Sequence, residues 1–162
     1  MNHKYLILFL LFFCKNLFCL EIQYFISDFF YKNPHSYTIN GSRLIKYYPG
    51  KLMESAASTN SKIFKKCEKN NQSDFIINLH PISVYDSFLR KIVTEMRVQL
   101  YSANDISKEF QIEYEEQIFL KEYSEDLITE HYSRLLNILY NEIALKKIPA
   151  EQIHGDICSQ FN

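Results

Sequence analysis

Two rhythms of apolar and polar positions run along the chain, one of period two and one of period 3.6, and their order predicts the fold. Glu21 to Ile26 (EIQYFI) alternates and is rich in β-prone residues, which predicts a first strand. DFFYKNPHS around Pro34 reads as a loop. YTI and SRLIKYY then flank Asn40-Gly41, a pair that suits a tight hairpin turn because both residues tolerate positive φ. From Lys51 to Glu68, Leu52, Ala56, Ile63, Phe64 and Cys67 recur at helical spacing and predict a helix with its lysines outward. The middle of that segment, SAASTNS, is poor in strong helix formers.

Three alternating runs come next. Ser73 to Asp86 carries Phe75, Ile77 and Leu79 on one side, and Pro81, which cannot donate to a ladder, marks an edge or a bulge. Arg90 to Tyr101 sets Ile92, Met96, Val98 and Leu100 against Lys91, Glu95, Arg97 and Gln99. Glu109 to Leu120 repeats the scheme, with Phe110, Ile112, Tyr114, Ile118 and Leu120 facing one way. A final helix is capped by Ser124, with Glu125 and Asp126 where the helix dipole favours anions. Leu127, Ile128, His131, Leu135, Ile138, Leu139, Ile143 and Leu145 form its apolar stripe, and Pro149 stops it. The predicted class is α+β: a two-layer sandwich of an antiparallel sheet with two amphipathic helices on one face. Its element order is strand or hairpin, helix, three-strand meander, helix. Residues 1–19 form a leader, 20–148 a single domain and 149–162 a C-terminal tail.

The leader reading rests on Tyr5 to Phe13 (YLILFLLFF), a nine-residue apolar run behind His3 and Lys4. It has the length of a signal h-region and falls short of the roughly 20 residues that span a bilayer. Cys19 can be the last residue removed or a lipid anchor. Phe18 stands where a lipidation site wants a small residue, which favours cleavage and a mature start at Leu20. The expected compartment is the periplasm, with outer-membrane association if Cys19 is acylated.

Removing Lys4 and Lys15 with the leader takes the formal charge from −1 to −3, the wrong sign for a nucleic-acid binder. With only 3 Gly, the chain is short of the backbone freedom that phosphate-cradling loops need. Cys67 and Cys158 remain after the cut, and in an oxidising compartment they can bridge or stay as two thiols. His131 falls on an apolar helical stripe and reads as a core histidine. Glu113 to Glu116 (EYEE) reads as a solvated strand face. No nucleophile, metal or cofactor motif is present, so the chain is expected to be no enzyme and to need no cofactor. The aromatic runs YFISDFFY and IKYYPGKLM hold more promise. Tyr24, Phe25, Phe29, Phe30, Tyr31, Tyr47 and Tyr48 are candidates for a docking surface for a protein or for lipid chains.

QYFIS (23–27), RLIKYYPGKLMESA (43–56), SDFIINLHPISVYD (73–86), EMRVQLYSAND (95–105) and the helix over 127–145 come in a familiar succession. Their order resembles the PqiC-like auxiliary lipoproteins of ABC-type intermembrane lipid transport systems. That resemblance implies an envelope accessory protein with no catalytic residues, which contacts a transport-system subunit and, through its apolar surface, phospholipid. The same order is similar to the lipopolysaccharide-assembly lipoprotein that plugs an outer-membrane barrel. A secreted binding or adhesion-type domain with no transport role is the reading from a different class.

Overall fold

The computed structural model describes residues 20–39, 43–69, 71–86, 88–101, 106–117, 124–145, 153–154 and 158. Cys19 and the apolar leader lie outside them. The fold is α+β. Its main sheet contains β1 (Ile22–Ile26), β4 (Phe64–Lys66), β6 (Phe75–Asp86), β7 (Lys91–Tyr101) and β8 (Ile106–Gln117), in the order β4-β1-β6-β7-β8. The expected meander is present as β6, β7 and β8, paired antiparallel. The sheet as a whole is mixed and not antiparallel, because β1 runs parallel to both β4 and β6. β1 is thus an inner strand, and all five of its residues are buried. Asp74 pins its start: the carboxylate accepts from Glu21 N at 2.8 Å, and Asp74 N donates to Glu21 O at 2.9 Å.

Between β1 and β4 the chain makes α1 (Asp28–Lys32), the hairpin β2 (His35–Ile39) and β3 (Arg43–Tyr47), and α2 (Pro49–Thr59). The stretch expected as a loop contains α1. Ser27 Oγ accepts from Phe29 N, Asn33 closes the other end on Phe29 O, and Asp28 and Lys32 pair one turn apart. The hairpin pairs Tyr37 with Ile45 and His35 with Tyr47, while its turn at Asn40-Gly41 lies outside the described residues. α2 starts at Pro49 and stops at Thr59, short of the expected Glu68. Ser58 and Thr59 turn their hydroxyls onto the carbonyls of Ser55 and Ala56 at 2.7 Å, side-chain bonds that compete with the helix. Phe64 and its neighbours therefore extend as β4.

α2 and α3 (Glu125–Leu145) cover one face of the sheet. Ile22, Tyr24, Ile77, Leu79, Ile92, Met96, Val98 and Leu100 point into this layer from the strands. Met53, Ala56, Ala57, Ile128, Tyr132, Leu135, Leu136 and Leu139 meet them from the helices. The stripe of α3 is rotated from the expected one: Tyr132 and Leu136 are buried, and Ile138 and Leu145 are exposed. His131, fully buried, sits 3.0 Å from Thr94 Oγ1 through Nδ1.

The opposite face is wet over β7 and β8, where Arg97, Gln111 and Glu113 are exposed. Over β1 and β6 it is covered. Phe25, Ile76 and Cys158 form a second small core there, with Cys67 and Tyr101 packed against it. A disulfide joins Cys67 to Cys158, with Cα atoms 5.6 Å apart, and β9 (Ile153–His154) pairs with β5 (Gln72–Ser73). The segment expected as a loose tail is therefore tied to the domain at two places. The apolar surface it covers supplies the reason.

Candidate functional site

β1 ends opposite Leu79, whereas β6 continues to Asp86. Beyond that point β6 has no β1 beside it, so Pro81 interrupts no ladder to β1. The β2–β3 hairpin leans on this distal half of β6. A cleft of about 330 Å³ opens between them, lined by His35, Ser36, Tyr37, Ser83, Val84 and Tyr85. Alternation builds it, since His35 and Tyr37 share one face of β2.

Tyr47 packs behind the lining, in ring contact with His35 and Tyr37. It is fully buried, and its hydroxyl donates to Ser83 O at 2.9 Å, which locks the hairpin to β6. His35 Nδ1 lies 3.4 Å from the same hydroxyl, whose proton is already committed to Ser83. The rings interlock: His35 on Tyr47 at 5.6 Å, Tyr37 on Tyr47 at 5.7 Å, and Tyr37 on Tyr85 at 5.8 Å between centroids. Burial lowers the pKa of His35, and hydrogen bonding to the Ser83 backbone opposes that shift. Ser83 Oγ is buried with no hydrogen-bond partner in the structure. Amphipathic rings, an imidazole and the two serines suit an apolar or aromatic group with a polar edge.

The seven aromatics expected to form a docking surface do not form one. Tyr24, Phe25 and Tyr47 are buried, because β1 is an inner strand with both faces covered and Tyr47, the last residue of β3, points from the hairpin onto β6. Phe30 and Tyr31 are half-buried against the main core. Tyr31 belongs to a lock between α1, α2 and β4, in which Lys66 Nζ reaches Glu54 Oε1 at 2.6 Å and stands 5.8 Å over the Tyr31 ring. Burial, then the Glu54 carboxylate, pushes the Tyr24 phenol up to about 12 and the Tyr31 phenol higher still. Only Phe29 and Tyr48 of the seven are exposed; Phe29 packs edge-on against Phe30, and Lys51 Nζ stands 4.6 Å over the Tyr48 ring.

Sequence reasoning missed Tyr37 and Tyr85. The available signal was that VYD continues β6 past the proline, while HSY places His35 and Tyr37 two apart at the start of a hairpin strand. A further exposed apolar pair was missed too: Phe88, 91 % exposed, and Leu89, 48 % exposed, lie between β6 and β7. Among the described residues, no three His, Cys, Asp or Glu side chains gather as a metal cluster. No helix of the described residues is long and apolar enough to cross a membrane.

No family model matches the chain, and no curated protein matches it. Among solved structures it is similar to the crystal structure of an uncharacterized protein, at 10 % identity over 78 % of this chain and 90 % of that one, with a TM-score of 0.39. It is also similar to a Xanthomonas campestris protein of family DUF330, at 11 % identity over 87 % of this chain and 88 % of that one, with a TM-score of 0.43.

Proposed function

We propose that this chain is an exported, non-catalytic accessory component of a bacterial envelope lipid transport system. It works by touching a transport-system subunit and phospholipid. The observation that carries this reading is polarity of shape. The aromatic cleft and the exposed pair Phe88–Leu89 gather at the finish of β6, while Leu20, where the leader joins, lies beside its start. The twelve residues of β6, at about 3.3 Å per rise, put roughly 35 Å between those ends. A domain held near a membrane through its N-terminus would thus present its apolar end outward. The buried disulfide suits an oxidising compartment such as the periplasm.

Native mass spectrometry of the protein drawn from the envelope of a Gram-negative host tests the reading. Co-purifying phospholipid, with cross-links to a transport subunit, is the expected outcome. Recovery of the chain outside the cell, with neither, would make it a secreted binding domain instead. Recovery of the uncut chain from the cytosol would reject export altogether.

A further inference from the structure

The β6–β7 turn opens on Asp86, an ordinary turn residue, but carries no glycine. Its residues 86–90 read DSFLR, with an arginine at the position that takes positive φ. Even so, the turn is firmly built. Asp86 Oδ1 accepts from both Phe88 N and Leu89 N at 2.9 Å, and Arg90 adopts φ +50°, a left-handed conformation that costs a non-glycine residue energy. The effect is to hold Phe88 and Leu89 in water at the extremity of the β6–β7 hairpin. Asp86 engages its carboxylate with those backbone N–H groups, and Arg90 beside them is exposed.

Behind the turn come Tyr85 and Tyr37, stacked at the mouth of the cleft. The succession from the tip backwards is apolar pair, cation, tyrosines. A bilayer surface presents the complementary succession of acyl chains, phosphates and the interfacial layer where tyrosine collects. We propose that the Phe88–Leu89 turn is a wedge that inserts into a phospholipid surface, with Arg90 at the phosphates and Tyr37 and Tyr85 at headgroup level. A protruding tip suits a fluid surface better than a preformed protein pocket. Glu115 and Glu116 stand opposite Val93 and Ile92 in the ladder, further back than Arg90, so attraction to anionic lipid is local to the tip. This deepens the proposed function by naming the surface met, and it rests on that reading only for its biological setting.

The chain has no tryptophan, so Phe88→Trp installs a single indole reporter in the full-length protein. With vesicles of phosphatidylethanolamine and phosphatidylglycerol, its emission shifts to the blue and is quenched by brominated acyl chains. Ile138→Trp, on the outer side of α3, does neither. The pair Phe88→Ser with Leu89→Ser, far from any packed core, keeps its far-ultraviolet circular dichroism and partitions at least about tenfold more weakly. Emission from Phe88→Trp that ignores vesicles overturns the wedge, as does an equal response from Ile138→Trp. A protein partner captured through Phe88, with no vesicle response, overturns it as well. Phospholipid that co-purifies while Phe88→Trp stays silent would reject the wedge and leave the proposed function standing.

Discussion

Breaking the Cys67–Cys158 bond should cost this domain a large share of its stability. The bond closes a loop whose ends are 91 residues apart. For a loop of that size, the chain-entropy relation gives about 4.6 kcal/mol at 25 °C, against a total of about 5–15 kcal/mol for an ordinary domain. Little else among the described residues holds Cys158 in place. β9 contributes two residues to its pairing, while Phe25 and Ile76 lose their cover if the segment leaves. Urea unfolding followed by far-ultraviolet circular dichroism measures the effect on oxidised protein, on reduced protein, and on the Cys67→Ala, Cys158→Ala double variant. With a slope of about 2 kcal/mol per molar urea, the midpoint should fall by about 2 M in the reduced and doubly substituted forms alike. Agreement between those two forms separates loss of the cross-link from any effect of alanine in the buried site. A midpoint drop below about 0.5 M would refute the entropic argument. Two free thiols in the folded, exported protein would refute the pairing itself.

Smaller perturbations test other parts of the structure. Tyr47→Phe removes the bond to Ser83 O in a buried setting and should cost about 1–3 kcal/mol, lowering Tm by several degrees; an unchanged melt would mean the hairpin is held by ring packing alone. Gly50→Ala should destabilise by about 1–3 kcal/mol in chemical denaturation, because a Cβ there would lie 3.0 Å from Phe30 C and 3.1 Å from Tyr31 N, both backbone atoms; a neutral result would show that α1 yields freely. Thr94→Val leaves the His131 imidazole without its Thr94 partner in the core and should cost about 1–3 kcal/mol by the same measurement. His35 has a folded pKa below its unfolded value of about 6.5, so the unfolded chain binds the proton more readily. Stability should therefore be full above pH 6.5, fall as the pH drops below it and level off once the lowered folded value is passed. His35→Phe should flatten that dependence in pH-resolved melts, and an unchanged slope would assign the titration elsewhere.

Much of the architecture was legible in the sequence because strong periodicity reports burial directly. β7 is the clearest case: Ile92, Met96, Val98 and Leu100 alternate with polar neighbours, and that face does carry the core. The cap at Ser124 was equally readable, with its hydroxyl accepting from Leu127 N at 3.2 Å. The α2 boundary was not. Ile63, Phe64 and Cys67 share the helical spacing of Leu52 and Ala56, yet the helix stops at Thr59, where Ser58 and Thr59 bond back to its own carbonyls. The parallel pairing of β1 was hidden for a different reason. A five-residue apolar strand reads the same whether one face or both are covered, and pairing direction leaves no mark on period-two alternation. That ambiguity also misplaced the docking surface. Tyr24, Phe25 and Tyr47 look like surface aromatics until long-range pairing puts them inside, whereas Tyr37 and Tyr85 become neighbours only through the tertiary contact of the hairpin with β6.

The inner position of β1 also sets an order of events in time. This strand leaves the ribosome first, yet the contact that pins its start joins Glu21 to Asp74, 53 positions later. Its ladder partners come late as well, the earliest of them at Phe64 in β4 and the rest in β6. About two fifths of the chain is therefore made before β1 can pair at all, and this early strand must wait for its neighbours.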